Sequence, residues 1–187
     1  MTIKNKKRFT LFIAVVIFLG SSLGYYFYLN KSPKISGVKN EQVDIQKSMS
    51  SGNFDEATRA LKERVKKDDS LDNLKMLAVS QYNQGDFKGA KKNFEKLIER
   101  DEINVYEYYN SLGNIYRDQK KPQKAEENYK KAIEAKPDYE TAYQNLVILY
   151  LYEITPREKE KAKDVIDKGL EKNPESDKIE NLEKMVN

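Results

Sequence analysis

The chain has 187 residues and contains no cysteine, no histidine and no tryptophan. Without cysteine there is no disulfide, no thiol nucleophile and no thiolate metal site. A cysteine-free chain also suits export into an oxidising compartment. Without histidine, the commonest general base and the commonest zinc ligand are both missing. Glycine is scarce, with eight scattered residues and no glycine-rich phosphate loop. Gly52 and Gly85 are expected at turns between helices, where the backbone needs a permissive residue. Carboxylates are plentiful, but Asp68-Asp69, Asp101-Glu102 and Glu126-Glu127 fall at helix ends or on outward faces. They read as solvated charge and inter-helix pairing rather than acid–base machinery. The chain is therefore not expected to be an enzyme, and no cofactor, metal or small-molecule substrate is expected.

Charge of one sign is missing from one region only. The chain carries 34 basic and 30 acidic residues, for a net +4, and the first thirty residues hold four of the bases and no acid. Removing those four leaves 30 bases against 30 acids in residues 31–187. The basic balance is thus a property of the N-terminal tail, and nucleic acid is not an expected partner, since its binders carry a basic face. Lys120, Lys121 and Lys124 cluster at one turn and read as a solvated charge run.

What the N-terminus has is a long apolar run. Phe9–Leu29 (FTLFIAVVIFLGSSLGYYFYL) contains no charged residue. As a helix it spans about 31 Å, enough for a bilayer core. Lys4, Lys6, Lys7 and Arg8 precede it, which predicts a cytoplasmic N-terminus and an extracytoplasmic remainder. Tyr25, Tyr26 and Tyr28 sit where aromatic rings favour the interface. A cleaved signal peptide is the competing reading, since Phe9–Leu19 has the length of such a core and Ser22-Leu23-Gly24 offers small residues. Against it, the site is not Ala-x-Ala and the apolar run continues to Leu29, so a retained anchor is expected. No cysteine follows the run to carry a lipid. The expected layout is a basic tail (1–8), a transmembrane helix (9–29), a polar linker (30–37) and one domain (38–187). Abundant lysine, asparagine, isoleucine and tyrosine without tryptophan suggests an AT-rich bacterial genome, of Gram-positive type.

Within that domain the apolar residues recur with helical period. In the stretch 106–139 (YEYYNSLGNIYRDQKKPQKAEENYKKAIEAKPDY), Tyr109, Leu112, Gly113 and Tyr116 lie on one face of a first helix. Ala125, Tyr129, Ala132 and Ile133 lie on one face of a second. Gly113 and Ala125 would let the two backbones approach, with Tyr116 and Tyr129 filling the space beside them. The order aromatic, Leu-Gly, Tyr, Ala, aromatic, Ala, Pro resembles the tetratricopeptide repeat, a helix–turn–helix unit of about 34 residues. Such a unit cannot bury its apolar face alone, so the resemblance implies neighbours. Weaker matches supply them: Ala57, Ala90, Ala125 and Ala162 follow one another at 33, 35 and 37 residues. The surplus in the last step is expected in the charged loop Glu153–Glu160. The first helix of the first repeat, Val38–Ser50, is poor, because Asp44 and Ser48 stand where large apolar residues are wanted. Asp177–Val186 suits a capping helix. The expected fold is an all-α solenoid of three to four repeats with a C-terminal cap, behind a transmembrane helix.

The resemblance also implies a site, because in this family the first helices line a concave groove. Residues on each first helix that point away from the packing face should line it. These are Asp72, Lys75, Val79 and Tyr82; then Glu107, Asn110, Asn114 and Arg117; then Thr141, Gln144, Ile148 and Leu151. The groove so described has amides in the middle, cations at Lys75 and Arg117, and an apolar end. Amides can donate to and accept from an extended peptide backbone, and cations can meet a carboxylate. Some family members clamp a C-terminal carboxylate with a fixed Lys/Asn/Arg set. Lys75 fits its first position, but Val79, Ser111, Thr141 and Asn145 depart from the rest, so that clamp is not expected. The expected function is a membrane-anchored module that binds a protein or peptide partner as chaperone, adaptor or assembly factor. The alternative is a scaffold that self-associates through its anchor or through Leu146–Tyr152.

Overall fold

A computed structural model describes residues 39–154 and 157–186, with side chains from Asp44 onward. The expected basic tail, transmembrane helix and linker lie outside the described residues. Among the described residues, no helix is long and apolar enough to cross a membrane. The chain divides at residues 40/41, and the account below concerns the second unit, Glu41–Asn187.

Every regular element described is helical: α1 (Lys39–Ser50), α2 (Phe54–Lys67), α3 (Leu71–Gln84), α4 (Phe87–Ile98), α5 (Val105–Asp118), α6 (Pro122–Ala135), α7 (Glu140–Ile148), α8 (Lys159–Lys172) and α9 (Asp177–Val186). They follow one another as four helix–turn–helix repeats, α1/α2 to α7/α8; α3/α4, α5/α6 and α7/α8 pack as pairs, and α9 packs on α7 and α8 as the cap. The starts are chemically marked. Asn53 accepts from Glu56 N and Asp86 from Gly89 N, each satisfying a donor that the first turn leaves free. Pro122 opens α6 at a position where its missing N–H costs nothing.

The turns between paired helices require a left-handed residue. Gly52 and Gly85 adopt φ of +76° and +87°, as their placement predicts. At the corresponding turn between α5 and α6, Lys120 adopts φ +58°. Side chains rarely take this conformation without cost.

Two apolar clusters fill the solenoid. One joins Leu74 and Ala78 of α3, Ala90, Phe94 and Leu97 of α4, and Tyr108, Leu112 and Ile115 of α5. The other runs from Ala125 and Tyr129 of α6 through α7 and α8 to Ile179, Leu182 and Val186 of the cap. Tyr116 touches both, so consecutive repeats share their core. Gly113 packs where the sequence places it: an added Cβ would lie 2.4 Å from the Tyr129 ring. The helix pair in repeat 3 is therefore as close as glycine allows.

Two elements differ from expectation. Despite Asp44 and Ser48, α1 forms, because Asp44 faces solvent, Ile45 fills the buried position, and Ser48 donates to Glu56 at 3.0 Å. In repeat 4 the surplus is not confined to the loop. α7 continues into a π-helical turn over Leu149–Glu153, closed by Ile154 N donating to Leu149 O at 3.1 Å. A π turn inserts a residue into a helix and rotates the side chains beyond it.

Candidate functional site

The first helices α3, α5 and α7 carry the expected groove residues, and the structure places these in contact with one another. Lys75 of α3 forms an ion pair with Glu107 of α5, and its ammonium stands 5.8 Å from the centre of the Tyr108 ring. Tyr82 of α3 donates to Asp118 of α5 at 2.6 Å. Arg117 donates to the same carboxylate through Nε and Nη2, at 3.1 and 3.0 Å. Asn145 of α7 donates to the Asn110 carbonyl of α5 at 2.8 Å. Thus polar residues tie α3 to α5 and α5 to α7.

Burial sharpens this pattern. Asn110 and Asn114 are each only 6% exposed. The Asn114 carbonyl accepts from the Tyr129 hydroxyl of α6 at 2.8 Å, so both asparagines serve the packing through their oxygens. Neither amide nitrogen donates a hydrogen bond among the described residues. Both expected cations are matched by a carboxylate. Burial, reinforced by the hydrogen bond to Asp118, pushes the Tyr82 phenol well above its ordinary range and keeps it a neutral donor. Asp72 is exposed, and Val79, Thr141, Gln144 and Ile148 are half-buried.

At the end of the row the π turn changes the register. Leu151, expected at the apolar end, is 2% exposed and belongs to the core. The outward position passes to Tyr152, 54% exposed, with the Arg157 guanidinium 5.7 Å from its ring centre. A regular 3.6-residue period cannot anticipate this shift.

The loop into repeat 3 is built around Asp101. Its carboxylate accepts from Ile103 N and Asn104 N at 3.1 Å, Asn104 Nδ2 at 2.9 Å and Tyr108 Oη at 2.5 Å. Burial opposes its charge, but the hydrogen bonds from Tyr108 and Asn104 outweigh it and hold the carboxyl below its ordinary range. This arrangement orients α5 and engages both carboxylate oxygens in the fold. Among the described residues, no group of carboxylates could hold a metal ion.

Paired antiparallel helices, a shared core and first helices aligned side by side are the geometry of a tetratricopeptide array. The family profile described as tetratricopeptide repeat matches residues 106–139, and a second profile of the same description matches 76–104. The chain is a tetratricopeptide-repeat protein.

Solved structures agree with the fold of this repeat protein. A crystal structure of MamA is 24% identical, covers 80% of this chain and 85% of its own, and superposes with a TM-score of 0.61. MamA (41-end) from Desulfovibrio magneticus RS-1 is 22% identical, with 79% and 81% covered and a TM-score of 0.59. The first repeat domain of Spaghetti (RPAP3), solved bound to the HSP90 peptide SRMEEVD, is 21% identical, with 60% and 89% covered and a TM-score of 0.50. At these identities the likeness establishes the fold alone. Among curated proteins, no sequence matches. Tetratricopeptide repeats are protein-interaction modules.

Proposed function

We propose that this tetratricopeptide protein is a membrane-anchored module that binds a protein or peptide segment in the groove lined by α3, α5 and α7. It acts there as chaperone, adaptor or assembly factor for exported or membrane proteins. The observation that carries the reading is the row of first-helix amides. Asn110 and Asn114 are fixed through their oxygens, and their NH2 donors are taken by no hydrogen bond among the described residues. Such donors suit the carbonyls of an extended backbone. Peptide binding by the RPAP3 domain gives a precedent on a similar fold. The uncharged Phe9–Leu29 segment supplies the anchor, and the basic residues before it keep the N-terminus cytoplasmic, with the repeats outside.

Photo-crosslinking in cells tests the groove. The cross-linker belongs at Asp72 and Gln144, whose side chains are not committed to the ties between helices, rather than at the buried Asn114. One or two specific adducts at both positions are expected. If adducts arise equally from Lys168 on the outer surface of α8, the groove is not the binding site. Topology has its own test, made clean by the absence of cysteine. Glu175→Cys is expected to react with a membrane-impermeant maleimide on intact cells. Labelling only after permeabilisation reverses the orientation.

A further inference from the structure

We propose that a cleft on the opposite face of the array, between the second helices α4 and α6, is a separate docking site for a basic, apolar segment of a partner protein. The cleft has a volume of 430 Å³. Its floor is Tyr109, Leu112 and Tyr116 of α5, which share one helix face, and its walls carry Glu95 and Glu99 on α4 and Lys124 and Lys131 on α6. This volume falls in the range of formed binding pockets.

The next repeat shows what this position looks like when the chain fills it. One repeat on, Tyr143 and Tyr150 hold the places of Tyr109 and Tyr116, and they are 3% and 2% exposed. There, Tyr143 donates to the Pro137 carbonyl at 2.9 Å and Tyr150 to Glu126 at 2.8 Å. In repeat 3 the same two rings are half-buried and line an open cleft. An aromatic floor that the fold buries in one repeat is thus left for another molecule in its neighbour.

The charges choose the occupant. Lys131 pairs with Glu127 at 2.6 Å and stands 5.9 Å from the Tyr109 ring centre, while Lys124 stands 5.6 Å from that of Tyr116. The α6 cations are therefore engaged by groups of the cleft itself. Across from them, Glu95 has only Lys91 at 3.8 Å, and Glu99 has no ion pair among the described residues. The α4 wall is therefore negative, and it faces Lys124, which keeps its charge over the Tyr116 ring with no ion pair among the described residues. A segment that lays apolar side chains on the tyrosines and turns Lys or Arg towards Glu95 and Glu99 complements both features. An acidic segment meets repulsion from Glu95 and Glu99.

The test uses the full chain in phosphatidylcholine nanodiscs, with empty discs as background. The probe is a fluorescein-labelled 14-residue amphipathic peptide of leucine and lysine, and its control has glutamate for every lysine. The leucine/lysine peptide is expected to bind above background and the glutamate peptide at least tenfold more weakly. Glu95→Lys/Glu99→Lys changes only exposed side chains, and circular dichroism checks that it folds. It is expected to weaken binding at least tenfold, whereas Asp72→Ala/Gln144→Ala in the concave groove leaves it unchanged. Equal binding to the Glu95/Glu99 variant, equal binding of the two peptides, or no signal above empty discs overturns the proposal. So does a dimer in sedimentation that this variant abolishes, since the cleft then belongs to a second copy of the chain. None of these results bears on the concave groove, whose crosslinks are read separately.

Discussion

Repeats 3 and 4 are built on one template and close their helix pairs in opposite ways. In repeat 3 the contact is the smallest residue against one of the largest: Gly113 lies beneath the fully buried ring of Tyr129. One repeat on, the same positions hold Val147 and Ile166, both fully buried in the same cluster. Repeat 2 lies between, with Ala78 and Phe94. Volume removed from the first helix is returned on the second, as close packing demands. A repeat position therefore has no fixed residue, only a fixed sum with its partner.

That comparison breaks most sharply at Gly113. Gly113→Val is expected to destabilise the array by about 3 kcal/mol, because Tyr129 is fully buried and cannot swing away. Adding Tyr129→Ile, to recreate the pair of repeat 4, should recover about 1 kcal/mol of this loss, a coupling characteristic of residues in contact. Urea unfolding of the full chain in detergent, followed by circular dichroism, measures both. Strictly additive losses would mean that the two positions do not compensate each other.

The entries to the two repeats differ as well. The Tyr108 hydroxyl that tethers α5 is held by the Asp101 carboxylate, whereas the Tyr143 hydroxyl that tethers α7 is held by the backbone carbonyl of Pro137. Only the first tether titrates in the acid range. Asp101 is held below its ordinary range in the folded chain, so its contribution is complete above the unfolded value near pH 4. It is lost as pH falls through the depressed folded value. Asp101→Asn is expected to cost about 2 kcal/mol at neutral pH, since one amide cannot replace a carboxylate that accepts four hydrogen bonds. The difference between wild type and variant should narrow as pH falls below about 4. A difference independent of pH would assign the cost to packing alone.

These contrasts also mark what could be read from the sequence. Helix pairing, the Gly113–Tyr129 approach and the glycine turns were legible, because each follows from residue size or backbone freedom at a fixed local spacing. The groove was legible only as a list of positions. That Lys75 meets Glu107 and Tyr82 meets Asp118 depends on how long side chains settle across helices, which spacing does not encode. The π turn that buries Leu151 and exposes Tyr152 was hidden because the period assumed in reading a helix is the very quantity that changes there. In α1, the apolar residue Ile45 sits one place from the expected Asp44, a shift that a weak pattern does not resolve.

The smallest effect lies in the turns, and its sign separates repeat 3 from its upstream neighbours. Gly52 and Gly85 take left-handed angles freely, while Lys120 takes them at a cost of about 1 kcal/mol. Lys120→Gly removes that strain. It also removes the Lys120–Glu153 ion pair of 3.0 Å, but the lysine is largely exposed, and such pairs contribute about 0.5 kcal/mol or less. The greater freedom of glycine in the unfolded chain takes back a further part. The net expectation is a gain of about 0.5 kcal/mol, read as a small rise in the urea midpoint. Gly85→Ala, at the matching turn of repeat 2, should move the midpoint down, although an added Cβ meets no atom within 4 Å there. Opposite signs at two equivalent turns would establish backbone angle, rather than side-chain contact, as what the position two residues before the second helix selects.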